Sequence, residues 1–181
     1  MRQPKRFRGK GLTVAVISDG MFCEMAISLD LIDLELLKQL QLDADRSNVE
    51  LARLVGLSPA ATLHRVRRLK SEGIVRGVVA QIDSTIAGFP LHVYLLVTIQ
   101  RHDDASHRKF AETVKNLPEV ISADWVTGET DALLIIIARE IAELQRVLVR
   151  LSTRGGASRV ITYLRLEELK AAAPLPLEAN R

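Results

Sequence analysis

The sequence predicts an α+β chain in two parts, an N-terminal winged helix-turn-helix domain followed by a ferredoxin-like βαββαβ sheet domain. Three observations predict it. Ser47 to Lys70 reads SNVELARLVGLSPAATLHRVRRLK, with two capped helix starts around a glycine hinge. From Leu91 onward the apolar pattern runs strand, helix, strand, strand, helix, strand. Ala132 to Ala138, ALLIIIA, is an apolar strand without alternation, which asks for cover on both faces of its sheet.

Residues 1–28 stand apart as an N-terminal extension. Arg2, Lys5, Arg6, Arg8 and Lys10 oppose only Asp19 and Glu24 there, so the net +3 of the 181-residue chain resides in this segment. Leu12 to Ser18 suits a short strand, and no small-residue cleavage site follows it, which argues against a signal peptide. Two readings stand: a flexible basic arm that adds phosphate contacts, or a translation start at Met25 that leaves the segment untranslated, the latter preferred. Against the second, Leu31 and Leu34 lie on the outer face of the first helix, where residues 12–22 would cover them.

The helical domain spans 29–83. Its first helix covers Leu29 to Leu42, with Asp30 as N-cap, Asp33 in the first turn and a core stripe of Leu29, Ile32, Leu36, Leu37 and Leu40. The second opens on Ser47 in a capping box with Glu50, places Val49, Ala52 and Val55 inward, and ends at Gly56. Ser58 then caps a third helix with Pro59 at its first position.

On that third helix Leu63, Val66 and Leu69 face the core at about 100° per residue, and Ala61, His64, Arg65 and Arg68 point away. Small Ala60 and Ala61 let the backbone approach a groove, and Arg65 and Arg68 have the fork to reach guanine edges. Arg67 and Lys70 suit phosphates, and Ser58 belongs to the same surface. Ile74 to Ile82, hinged at Gly77, reads as a wing hairpin whose Arg76 meets the backbone of double-stranded DNA. A solvated basic helix in an ordinary bundle would explain the charge but not the capped, hinged pair of helices.

A linker at 84–90 leads to the sheet domain at 91–172, and 173–181 is a tail. Leu91 to Gln100, Val120 to Thr127, Asp131 to Ala138 and Arg159 to Leu169 read as strands. Ala105 to Leu117 reads as a helix stopped by Pro118, and Ile141, Leu144, Leu148 and Leu151 mark another. Cover for the second face of the sheet comes most cheaply from a second copy, so a homodimer is expected.

These residues resemble a known family. SNVELARLVGLSPAATLHRVRRLKSEGIVRG, preceded by LDLIDLELLKQLQLD, resembles the DNA-binding half of the leucine-responsive/asparagine-operon regulators, the Lrp/AsnC or feast-famine family. VTGETDALL is similar to that family's Gly-x-x-Asp turn, and ITYLRLEELK to its closing strand. The resemblance implies a transcriptional regulator whose dimers assemble into tetramers or octamers and bind an amino acid between sheet domains. It implies an effector site at Thr127, Gly128, Glu129, Thr130 and Asp131, with Tyr163 and Arg165 of the closing strand. Gly128 frees the backbone to approach a ligand, and Asp131 offers a carboxylate to an α-amino group. Thr130 stands where a bulky residue is frequent and Arg165 where an aliphatic one is usual, so the effector can differ from leucine. A plain hairpin turn is the alternative for Gly128 to Asp131.

Other chemistry is weakly signalled. His102, Asp103, Asp104 and His107 could form a metal set, but the aspartates read better as helix N-terminal residues and no metal is expected. Adjacent Glu167 and Glu168 point to opposite faces of a strand, so they are no acid/base pair. No nucleophile-and-base spacing or phosphate loop occurs, so neither an enzyme nor a cofactor is expected. Single Cys23 excludes an internal disulfide and points to the cytoplasm, and no apolar run reaches the roughly 18 residues of a membrane span. Two alternatives share the architecture: a sirohaem-decarboxylase-like enzyme, and a ligand-free DNA-organising protein.

Overall fold

The computed structural model describes residues 12–18, 21–101 and 103–177. The basic arm Arg2 to Lys10 and His102 lie outside the described residues. The chain forms two compact units, one of residues 1–80 with 172–181 and one of residues 81–171.

In the first unit, strands β1 (Leu12–Ser18) and β2 (Met21–Leu29) pair antiparallel, Leu12 opposite Leu29. Three helices follow: α1 (Leu31–Leu42), α2 (Asn48–Val55) and α3 (Pro59–Ser71). Helix α1 starts with a reciprocal cap, in which Asp33 N–H donates to Asp30 Oδ1 at 2.8 Å and Asp30 N–H to Asp33 Oδ2 at 3.1 Å. The core joins Leu29, Leu34, Leu36, Leu37, Leu51, Val66 and Leu69, with Ile74 and Val75 packed against it. Leu34 is buried, whereas Leu31 stays 64% exposed. The core face of α2 is Leu51, Ala52 and Val55; Val49 is exposed, contrary to the sequence reading.

Gly56 has φ 68, and the N–H of Leu57 donates back to the Ala52 carbonyl at 3.0 Å. A side chain there would sit in the left-handed region, so Gly56→Ala is expected to cost about 1–2 kcal/mol in urea denaturation. The chain from 172 returns to this unit. Gln41 clasps Leu175 in both directions, accepting from its N–H at 2.6 Å and donating to its carbonyl at 3.3 Å, and Leu177 packs on the core.

The wing departs from the sequence reading. Residues 74–82 form no strand; Val78 is exposed and Val79 is 86% exposed. The left-handed glycine in this stretch is Gly73, which ends α3, and Gly77 is not one. A tight hairpin needs left-handed turn residues at its centre, so none closes at Gly77.

The second unit contains β3 (Leu91–Ile99), α4 (Asp104–Lys115), β4 (Val120–Trp125), β5 (Ala132–Ala138), α5 (Ile141–Thr153) and β6 (Ala157–Leu164). The sheet order is β4-β5-β3-β6 and every pairing is antiparallel. Both helices pack on one face, over Val93, Leu95, Val97, Ile99, Leu134 and Ile136. Burial alternates along β5 although its sequence does not, because Leu133, Ile135 and Ile137 point to the other face and are half-buried. Along β5 that face is therefore apolar, and among the described residues of this unit both helices lie on the other face. Strand β6 stops at Leu164 rather than Leu169, since its partner β3 begins at Leu91; the last bond runs from Arg165 N–H to the His92 carbonyl at 2.8 Å.

Candidate functional site

Local chemistry builds the helix pair. Ser47 Oγ accepts from Glu50 N–H at 3.3 Å while Glu50 accepts from Ser47 N–H at 2.8 Å, and the Ser47 contacts hold the Glu50 carboxyl below its usual value. Ser58 Oγ accepts from Ala61 N–H at 3.2 Å, with Pro59 in the first turn. The turn is thereby fixed, and α3 presents an outward face of Ala60, Ala61, His64, Arg67 and Lys70, all exposed. Arg76 is exposed beyond its end.

Arg65 and Arg68 do not lie on that face. The buried stripe of α3 is Thr62, Val66 and Leu69: Val66 and Leu69 face the core as the sequence predicts, and Thr62 is buried where Leu63 is only half-buried. Both arginines flank the stripe and reach the N-terminus of α1. Arg65 donates to Asp30 at 2.6 Å and to Asp33 Oδ1 at 2.9 Å, and Arg68 donates to Asp33 Oδ2. Asp33 is only 1% exposed. Buried polar groups need partners, and the two guanidiniums supply them, so the free forks expected for guanine edges are committed within the protein. The missed signal was a matched spacing, Asp30-x-x-Asp33 against Arg65-x-x-Arg68, hidden because Asp30 already served as N-cap and Asp33 as a first-turn residue.

Burial pushes the Asp30 carboxyl up, but the Asp33 N–H and Arg65 outweigh it and hold it below the ordinary carboxylate value; the hydrogen bonds of Arg65 to the Asp30 and Asp33 side chains raise the guanidinium in turn. The stabilisation from Asp30 is therefore complete above the ordinary carboxyl range and lost as pH falls through the lowered value.

In the sheet unit, Gly128 has φ 130 in a turn whose ends are pinned: Val126 N–H donates to the Asp131 carbonyl, and Asp131 N–H to the Val97 carbonyl, each at 2.9 Å. Asp131 Oδ2 accepts from Ile99 N–H at 2.8 Å, so the carboxylate ties the turn to the end of β3. Thr127, Gly128 and Glu129 are exposed and Thr130 is half-buried. Tyr163 lies opposite Tyr94, and Arg165, bonded to Glu168 at 3.2 Å, lies beside His92. The Gly128 turn is at the Ile99 end of β3 and Arg165 at the His92 end, roughly 20 Å apart at strand rise. One chain does not bring the seven residues together.

Sequence reasoning missed a groove of about 190 Å³ between α4 and β4, lined by Phe110, Val114, Trp125 and Ala132 among others. The single tryptophan of the chain, Trp125, stacks there on His107 at 4.8 Å between ring centroids. Asp103 accepts from Ser106 N–H at 2.7 Å as the cap of α4. Among the described residues no group of three or more His, Cys, Asp or Glu could hold a metal, and no helix is long and apolar enough to cross a membrane.

Comparison with known proteins agrees with this geometry. A winged helix-turn-helix DNA-binding family matches residues 29–76, and the Lrp/AsnC ligand binding domain matches residues 92–175. The chain is 34% identical over 152 residues to the leucine-responsive regulatory protein of Rhizobium meliloti, covering 83% of this chain and 97% of that relative. It belongs to the Lrp/AsnC family. Another relative, the HTH-type transcriptional regulator AldR of Mycolicibacterium smegmatis, is 32% identical over 83% of this chain and 88% of its own length. A transcriptional regulator of Neisseria meningitidis, solved as its L-Met complex, superposes with a TM-score of 0.76 at 33% identity, covering 83% of this chain and 97% of that one. LrpA of Mycobacterium tuberculosis superposes with a TM-score of 0.71 at 29% identity, covering 79% and 96%. The protein is accordingly a DNA-binding transcriptional regulator, and the relatives it matches are regulators rather than enzymes, which displaces the decarboxylase reading.

Proposed function

We propose that this regulator binds DNA as a homodimer joined through the open faces of its sheets, with an amino acid held where two sheet units meet. The observation that carries this reading is the separation of Thr127, Gly128, Glu129, Thr130 and Asp131 from Tyr163 and Arg165 at opposite ends of β3. A two-fold partner with its sheet reversed sets the turn of one copy near the closing strand of the other. The apolar face of Leu96, Leu133, Ile135 and Ile137 supports the same contact, since such a surface is unfavourable in water. The L-Met complex of the Neisseria relative supports an amino acid as the ligand class.

On the DNA side, the exposed row of Ala61, His64, Arg67 and Lys70 enters the major groove, with Ser58 at its N-terminal end and Arg76 on a phosphate. Two such helices on a dimer read two half-sites at a spacing set by the body that joins them. Effector binding regulates by favouring one placement of the subunits, for which a differential affinity of about 1–3 kcal/mol suffices.

Two measurements test this. Ile135→Asp puts a charge on the open face and should convert a dimer to a monomer in sedimentation; an unchanged dimer would relocate the interface. Asp131→Asn keeps an acceptor for Ile99 N–H but removes the charge that would meet an α-amino group. It should weaken amino-acid binding roughly 10- to 150-fold by calorimetry while DNA affinity holds. Undiminished binding would move the effector away from the turn.

A further inference from the structure

We infer that Asp33 is a positioning residue for the recognition helix: through Arg65 and Arg68 it sets the pose of α3, so that base reading falls to His64 and Arg67. The inference rests on the reading of α3 as the DNA-contacting helix.

Three observations carry it. Both oxygens of the Asp33 carboxylate are used, Oδ1 by Arg65 at 2.9 Å and Oδ2 by Arg68, while Asp33 itself is buried. Asp30 takes a second bond from the same Arg65 nitrogen at 2.6 Å, so the N-cap of α1 and a residue of its first turn grip two residues one turn apart on α3. Such a two-by-two attachment resists both rotation of α3 about its axis and sliding along α1, whereas apolar packing of Val66 and Leu69 constrains direction much less. Ridge packing alone tolerates scatter of about 15–20° in crossing angle. At the tip of an exposed side chain that scatter amounts to ångströms, enough to lose a bidentate bond to a base.

The same grip decides which side chains remain for DNA. Arg67 lies between the two held arginines in sequence, about 160° from Arg65 and about 100° from Arg68 around the helix, and is exposed, with no ion pair to it among the described residues. His64 is exposed one turn before Arg68, and small Ala60 and Ala61 precede it, so the N-terminal half of α3 can enter a groove closely. Arginine is suited to a bidentate bond with guanine, and histidine can donate to a base acceptor.

The test is selection of bound sequences from a randomised DNA duplex pool by the full-length protein, followed by affinity for the winning sequence and its single-base variants at two salt concentrations. Arg67→Ala and His64→Ala should each flatten the preference at a separate position, by roughly 5- to 150-fold for a lost base contact. Asp33→Asn, Arg65→Ala and Arg68→Ala should blur the preference across the whole half-site together. Asp30→Asn retains an N-cap, so it folds even if Asp33→Asn does not, and it should give a milder form of the same blurring. Loss of preference at one position only in Arg65→Ala or Arg68→Ala would make those residues readers and overturn the inference. So would a drop of about 0.9 in the salt slope for either, the mark of a direct phosphate contact. Weaker binding with an unchanged sequence profile in Asp30→Asn and Asp33→Asn would reduce the pair to fold maintenance and overturn it as well. A wild-type selection without any preferred sequence would overturn the reading of α3 itself, and this inference with it.

Discussion

Asp33→Ala is expected to lower the stability of the helical unit by about 3 kcal/mol, the largest loss from any single polar side chain in it. Removing one member of a buried ionic group usually costs about 3–5 kcal/mol, because the remaining charges are left without compensation. The lower end applies here, since the side chains of Arg65 and Arg68 are 27% and 35% exposed and can recover water. Loss of half of the capping box at the start of α1 adds to the effect. Urea denaturation followed by circular dichroism should show an early helical transition, while Trp125 fluorescence, which reports on the sheet unit, keeps its midpoint. A variant as stable as the parent would mean that the ion pairs contribute no more than exposed surface pairs do, about 0–1 kcal/mol.

Phe110→Ala is expected to cost about 3–5 kcal/mol in the sheet unit. Phe110 is 2% exposed on α4, tilted against Trp125 at 5.4 Å, in a core shared with Leu95, Leu134 and Leu151. It also fills the space over Gly155, where an added Cβ would lie 3.2 Å from its ring and 2.6 Å from the Leu151 carbonyl oxygen. The ring therefore packs against bare backbone, a surface that cannot close over a cavity by a rotamer change, so relaxation recovers little. Trp125 fluorescence should shift in the folded state and its urea midpoint should fall. A change below about 1 kcal/mol would show that α4 collapses onto the sheet after all.

The two units differ in how much of each was legible beforehand. The caps at Asp30, Ser47 and Ser58, the left-handed Gly56 and the βαββαβ order were all read from neighbours in the chain, because caps, turns and apolar periodicity are interactions over a few residues. The wing hairpin rests on two β-branched runs hinged at Gly77, and a β preference needs a partner strand to be realised. Residues 166–169 failed as strand for the same reason, the partner having ended.

The functional site divides along the same line. That α3 is a capped, basic helix projecting from a short turn was determined by the sequence itself, as was the glycine turn ending in Asp131. Which arginines are free was not, because that depends on whether the aspartates at the start of α1 come within reach of Arg65 and Arg68 when the helices pack. Nor did the chain order reveal that the Gly128 turn and Arg165 sit at opposite ends of β3. Local hydrogen bonding and periodicity act between near neighbours and are written along the chain; the pairing of Asp33 with two arginines, and the distance across the sheet, arise only when distant segments pack.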